Sequence, residues 1–201
     1  MLYARRAKIA SLTNDVTCCI NPPNIRGKRL GPAPFPALLF CFSVIDRLGA
    51  LSSGKASKES ETTTNSKLYM KTYMKYVDSA NKDNPEWKIK VLLDVYRHKL
   101  VHLAGPRPVT FYEGKVMGWR IAHAQRKNHL KLVPPKDRNY KIMDIYDVKI
   151  DTVFVISITQ MVTDIKNSVF AKGGYMSHLK NEKRLRINIV NAINQICDPV
   201  T

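Results

Sequence analysis

The stretch that decides the fold is PEWKIKVLLDVYRHKLVHLA, residues 85–104. Asn84 is a good helix cap, Pro85 suits a first helical turn, and Gly105-Pro106 ends the segment. Its apolar residues follow helical spacing: Trp87, Val91, Leu92, Val95, Leu100 and Val101. We therefore predict a helix with one buried face, around which the rest of the chain is organised.

Four other segments have helical periods. Residues 35–51 are apolar on every face, which is typical of a helix at the centre of a bundle. Residues 67–79 carry Leu and Tyr at three-and-four spacing, and helices are also predicted over 153–170 and 177–196, the last capped by Ser177. The sequence thus predicts a mainly α protein, a helical bundle.

The connecting segments are of different kinds. Residues 1–34 show no pattern that assigns an element, and 52–66 are rich in Ser, Thr, Lys and Glu without a hydrophobic period, which predicts a flexible loop. Residues 109–149 contain short β-branched and aromatic runs broken by Gly and Pro, which predict a small β-meander inserted after the 85–104 helix. We expect residues 1–201 to form a single domain.

The charge is strongly positive. Thirty-three Lys and Arg against 16 Asp and Glu give a net charge of +17, which attracts polyanions, nucleic acid foremost. Basic residues alternate with aromatic and His side chains over 119–131, a pattern that can follow an RNA backbone or simply face solvent. Genomic base composition or solubility would also explain the charge. The candidate nucleic-acid-binding residues are Lys99, Arg107, Arg120, Arg126 and Lys127.

Cysteine usage and hydropathy bear on the compartment. Cys18, Cys19, Cys41 and Cys197 do not form the spaced framework of a disulfide-rich secreted domain. The longest apolar run, residues 35–45, is shorter than the roughly 20 residues that a membrane span needs. We expect a cytoplasmic protein without a membrane partner.

Arg97 and His102 are the residues most suited to chemistry. An imidazole can accept the proton of a ribose 2′-hydroxyl or protonate the leaving 5′-oxygen, and a guanidinium can stabilise the charge of the phosphorane. Five residues apart, they differ by about 140° around a regular helix, so they act together only if the helix loosens toward Gly105 or a second copy supplies the complementary groups. RNA would be required, because DNA lacks the internal nucleophile.

Two other readings of this helix are open. Arg97 can pair with Asp94 on the helix surface, while a cationic His102 caps the helix C-terminus. His98 and His102 also have the four-residue spacing of a helical metal pair, but no third ligand is evident, so we expect no metal and no cofactor.

The order of motifs resembles the HEPN superfamily. The matching stretches are FSVIDRLG at 42–49, LYMKTYM at 68–74 and LDVYRHKLVH at 93–102. The resemblance implies an antiparallel helical bundle that is commonly a homodimer and often a metal-independent ribonuclease of toxin–antitoxin, phage-defence or RNA-processing systems. It implies that Arg97 and His102 are catalytic and that His98 supports them. An antitoxin or nucleotidyltransferase is an expected partner, and the alternative is a non-catalytic module that binds nucleic acid or a protein.

Overall fold

The protein is mainly helical with a small sheet. The computed structural model describes residues 2–21, 24–25, 28–29, 33–56, 59–74, 85–97, 110–122, 128–135, 139–142 and 146–197. The helices are α1 (Leu2–Ile20), α2 (Pro34–Ser53), α3 (Glu59–Tyr73), α4 (Pro85–Val91), α5 (Ile158–Phe170), α6 (Tyr175–Asn181) and α7 (Lys183–Cys197). A π-helical turn, Leu92–Arg97, continues α4. The strands are β1 (Asn24–Ile25), β2 (Lys28–Arg29), β3 (Thr110–Tyr112), β4 (Lys115–Ala122), β5 (Lys131–Val133), β6 (Asn139–Ile142), β7 (Tyr146–Lys149) and β8 (Thr152–Ser157).

The central helix is α2, which contacts α1, α3, α5 and α7. Its buried residues, Ala37, Leu38, Cys41, Phe42, Ile45, Leu48, Gly49 and Leu51, recur at three-and-four spacing. Leu39 and Phe40 are exposed, so α2 is central but is not enclosed on every side. Among the described helices, α2 alone is long and apolar enough to cross a bilayer, and 44% of that stretch is buried within the protein. A helix in the core of a protein can have the same length and hydropathy.

Helices α2 and α3 pack with their backbones close together. A Cβ atom on Gly49 would lie 2.7 Å from the carbonyl carbon of Asn65 and 2.8 Å from the amide nitrogen of Ser66. The prediction of a flexible loop over residues 52–66 is therefore wrong from Glu59 onward. The local pattern misled because two polar residues of α3, Asn65 and Ser66, are buried and hydrogen-bonded, with Asn65 Nδ2 donating to the carbonyl of Lys55 at 3.0 Å.

The sheet is mixed and is not the predicted meander. Its order is β3-β4-β8-β5, with β4 and β8 parallel and the other pairs antiparallel, while β6 and β7 form a separate hairpin. Strand β8 covers residues that the helical period assigned to the 153–170 helix. It is a strand because its backbone pairs with β4 on one side and β5 on the other, and its β-branched and aromatic residues favour this conformation. Helix α5 begins after it, and the Ser157 hydroxyl caps α5 by accepting from the Gln160 amide.

The predicted helix over 177–196 is two helices. The backbone at Glu182 is extended, with φ −109° and ψ 111°, which separates α6 from α7; Gly174, rather than Ser177, lies at the N-cap of α6. Helix α7 is attached to the end of α2, because Asn188 Nδ2 donates to the carbonyl of Ser52 at 2.6 Å. The break allows α7 to bury Leu185, Ile189 and Ala192 against the core.

Candidate functional site

The helix that carries Arg97 changes from α-helical to π-helical geometry at Leu92. Pro85–Val91 is α-helical, and Leu92–Arg97 is a π-helical turn, in which hydrogen bonds span five residues instead of four. Leu92 and Leu93 are buried in the core. The π-helical turn ends at Arg97, whereas the loosening that we expected toward Gly105 lies outside the described residues. Such single π turns occur frequently at functional sites.

Arg97 is held by residues of two other helices. Its Nε donates to Asp46 Oδ2 at 3.1 Å, its Nη2 lies 3.1 Å from the same oxygen, and its Nη1 donates to Thr63 Oγ1 at 3.0 Å. The side chains of Arg97 and Asp46 are 10% and 19% exposed. These contacts include hydrogen bonds from two of the five N–H groups of the guanidinium, and its charge is balanced by Asp46 at short range.

Asp46 is itself fixed from the α3 side. Ser66 Oγ donates to Asp46 Oδ1 at 2.5 Å, so each carboxylate oxygen accepts from a different element. Gly49 lies three residues after Asp46 on α2, and its close approach to the α3 backbone brings Thr63 and Ser66 within reach. We name Asp46, Thr63, Ser66 and Arg97 the arginine clamp. A backbone contact between α2 and α3 thus sets the position of the guanidinium.

The structure locates only some of the predicted site residues. Arg97 is described, whereas His98, Lys99 and His102 lie outside the described residues, as do Arg107, Arg126 and Lys127. The alternative pairing of Arg97 with Asp94 is wrong, since Asp94 is exposed and Arg97 pairs with Asp46 on α2. The helical period placed Asp94 near Arg97, but the widened turn and the packing against α2 give Arg97 a different partner.

In the described parts of the basic stretch, residues 119–122 and 128–131, every side chain is buried or half-buried. Trp119 packs against the core, with its ring centroid 5.7 Å from that of Phe35. Arg120 is half-buried on β4, opposite Val155 of the neighbouring strand. Alternation along a strand predicts one solvated face, but β4 lies inside the sheet with neighbours on both sides, so its polar residues are partly covered.

His129 is a buried structural residue. Its Nδ1 accepts from the Ser157 amide at 2.9 Å, so the proton of the neutral ring is on Nε2. Nε2 lies 3.2 Å from Asp164 Oδ2, at an angle too bent for a regular hydrogen bond, and Asp164 Oδ1 accepts from Gln160 Nε2 at 2.6 Å. The cluster ties the loop before β5 to the first turns of α5. Within the described ranges, no three His, Cys, Asp or Glu side chains are grouped as metal ligands.

No protein family model matches the chain, and no curated protein or solved structure matches it.

Sequence reasoning missed three members of the arginine clamp: Asp46, Thr63 and Ser66. A signal for Asp46 was present, because a carboxylate in an otherwise apolar helix requires a partner if it is buried. Thr63 and Ser66 gave no such signal, since both lie in a polar stretch without a hydrophobic period.

Proposed function

We propose that the protein is a metal-independent endoribonuclease of the HEPN type that acts as a homodimer. The observation that supports this most is the arginine clamp, which immobilises a guanidinium immediately before the His98–His102 stretch. A pre-oriented cation stabilises a developing phosphorane charge without reorganising during the reaction. The net charge of +17 favours RNA as the polyanion.

In the proposed reaction, His102 of one copy accepts the proton of a ribose 2′-hydroxyl. The 2′-oxygen attacks the adjacent phosphorus, and the bond to the 5′-oxygen breaks as that oxygen takes a proton from the His102 of the second copy. The products are a 2′,3′-cyclic phosphate and a 5′-hydroxyl. Arg97 supports the charge on the non-bridging oxygens through the N–H groups that the clamp leaves over, and His98 supports it as a neighbouring polar group.

The test is cleavage of single-stranded RNA in the presence of a chelator by the wild-type protein, Arg97→Ala and His102→Ala. We expect 2′,3′-cyclic ends from the wild type and a loss of at least about 100-fold in rate for each variant. Arg47→Ala and His178→Ala are matched controls that remove an exposed Arg and a partly exposed His elsewhere. Arg97→Lys keeps the charge if Arg97→Ala fails to fold. Equal cleavage by all variants contradicts the assignment.

A second candidate function is a non-catalytic module that binds RNA through its basic surface. The burial of Arg97 favours it, because Asp46 and Thr63 already engage two of the N–H groups that could contact a phosphate. This function predicts salt-sensitive RNA binding without any cleavage product, and with equal affinity in His102→Ala. Appearance of cyclic-phosphate ends under the same conditions contradicts it.

We place this activity in the cytoplasm, in a toxin, phage-defence or RNA-processing setting, with an antitoxin or nucleotidyltransferase as the protein partner. The free cysteines of the described chain are consistent with a reducing compartment. Expression of the wild type and of His102→Ala in bacterial cells tests the toxin role. We expect growth arrest with the wild type alone, and equal growth contradicts it.

A further inference from the structure

Residues 165–197, from the middle of α5 to the end of α7, carry an excess of basic side chains. Residues 165–197 contain six Lys and Arg but only one carboxylate, Glu182. Glu182 is itself engaged, with Oε1 lying 3.0 Å from Nδ1 of His178. The surface of this region therefore has a positive potential that nearby acids do not compensate.

The basic side chains at the junction of α6 and α7 face solvent. We name Lys180, Lys183, Arg184 and Arg186 the basic corner; all four are exposed. Among the described residues, Lys180, Lys183 and Arg184 form no ion pair. These three cations are thus available to an external anion.

The basic corner is held rigidly. Arg186 Nη1 donates to the carbonyls of Leu179 at 3.1 Å and Lys180 at 2.9 Å, which joins the end of α6 to the first turns of α7. On the opposite face, Leu185 and Ile189 are buried in the core. The backbone that presents the cations is therefore ordered before any ligand arrives, which lowers the entropy cost of binding.

We propose that the basic corner is a binding surface for the phosphodiester backbone of single-stranded RNA. Three exposed cations near one helix junction, none of them ion-paired within the described part of the chain, can each contact a phosphate of a polynucleotide. The exposed side chains between and beyond them include the amides Asn181, Asn191 and Asn194, which can donate to and accept from sugars and bases. The single aromatic residue of α6 and α7, Tyr175, is buried, so these helices present no aromatic anchor for a membrane interface.

This surface lies outside the arginine clamp and outside the residues first expected to bind nucleic acid. It rests on the proposed function for the choice of RNA as the polyanion, but it does not require cleavage. The basic corner would hold the strand whether or not the Arg97 region cuts it.

The test is the binding of a fluorescent 20-nucleotide single-stranded RNA across a salt series, with the triple variant Lys180→Ala/Lys183→Ala/Arg184→Ala. Loss of three phosphate contacts should reduce the slope of log affinity against log salt by about 2 and weaken binding roughly tenfold at low salt. Lys90→Ala/Lys115→Ala/Lys149→Ala is the matched control, since it removes the same charge from exposed sites on α4, β4 and β7.

Equal losses in the triple variant and the matched control would overturn the proposal, because net charge alone would then explain the binding. Wild-type binding to phosphatidylserine vesicles or polyglutamate, without binding to RNA, would also overturn it.

The proposed ribonuclease can fail independently of this surface. RNA binding that depends on the basic corner, without any cleavage, supports the surface and contradicts the enzyme. Cleavage that is lost in Arg97→Ala, together with unchanged RNA binding by the triple variant, supports the enzyme and contradicts the surface.

Discussion

Arg97 and Asp46 form an ion pair across 51 residues of sequence, joining the end of a π-helical turn to α2. The pair is largely enclosed, so each charge depends on the other to offset the cost of leaving water. Ser66 and Thr63 supply further hydrogen bonds from α3. The arginine of the candidate motif is therefore part of the packing of three helices as well as of the candidate site.

Removing both partners of this pair should cost less than the sum of the two single removals. We expect Asp46→Ala to lower the free energy of unfolding by about 2–4 kcal/mol, because it leaves a buried guanidinium without its counter-charge. Arg97→Ala should cost a similar amount, and the double variant should cost less than the sum by about 1–3 kcal/mol. Urea unfolding at pH 7 measures all three. Arg47→Ala, on the exposed side of α2, is the control and should change stability by less than about 0.5 kcal/mol.

Gly49→Ala should destabilise the protein although alanine favours helices. The added Cβ would meet backbone atoms of Asn65 and Ser66 at 2.7–2.8 Å, so α2 and α3 must separate. We expect a net loss of about 1–3 kcal/mol in the free energy of unfolding, because the cost of the backbone contact exceeds the gain in helix propensity of about 1 kcal/mol. Ser43→Ala, on the exposed face of the same helix, isolates propensity from contact. A Gly49→Ala protein that melts at or above the wild-type temperature contradicts the close approach.

His129→Leu should be among the more damaging His substitutions. It leaves the buried Ser157 amide without its acceptor and removes the ring beside the buried Asp164 carboxylate. We expect a loss of about 2–4 kcal/mol in urea unfolding. His178→Leu is the matched control, because His178 is only partly buried and pairs with the exposed Glu182. Similar small losses in both variants would show that the His129 cluster contributes little.

Stability should fall at alkaline pH through Tyr73. Burial and the nearby Glu182 raise the pKa of Tyr73 from 10.0 to about 12. The folded state thus favours the neutral phenol, so its contribution is complete below pH 10 and is lost as the pH rises toward 12. Melting temperatures between pH 8 and pH 11 measure this loss. Tyr73→Phe should show a smaller decrease than the wild type, and identical decreases would contradict the assignment.

Local pattern predicted some elements well. The apolar run of α2 and the Pro85 start of α4 are confirmed, because burial of one face and the chemistry of a first turn are written in adjacent residues. The predictions for the first residues of α3 and for β8 were wrong for a shared reason. Their conformations depend on neighbours that are distant in sequence: Asn65 and Ser66 are polar residues satisfied inside the fold, and β8 is flanked by two strands.

The sequence by itself determined a positive charge of +17, a mainly helical chain, and a helix that begins at Pro85. Those properties depend on composition and on spacing along one segment. Only the tertiary structure decided that Arg97 pairs with Asp46, that Gly49 sets the distance between α2 and α3, and that Lys180, Lys183 and Arg184 share an exposed junction. Ion-pair partners and surface clusters depend on which helices pack together, and no local period encodes that choice.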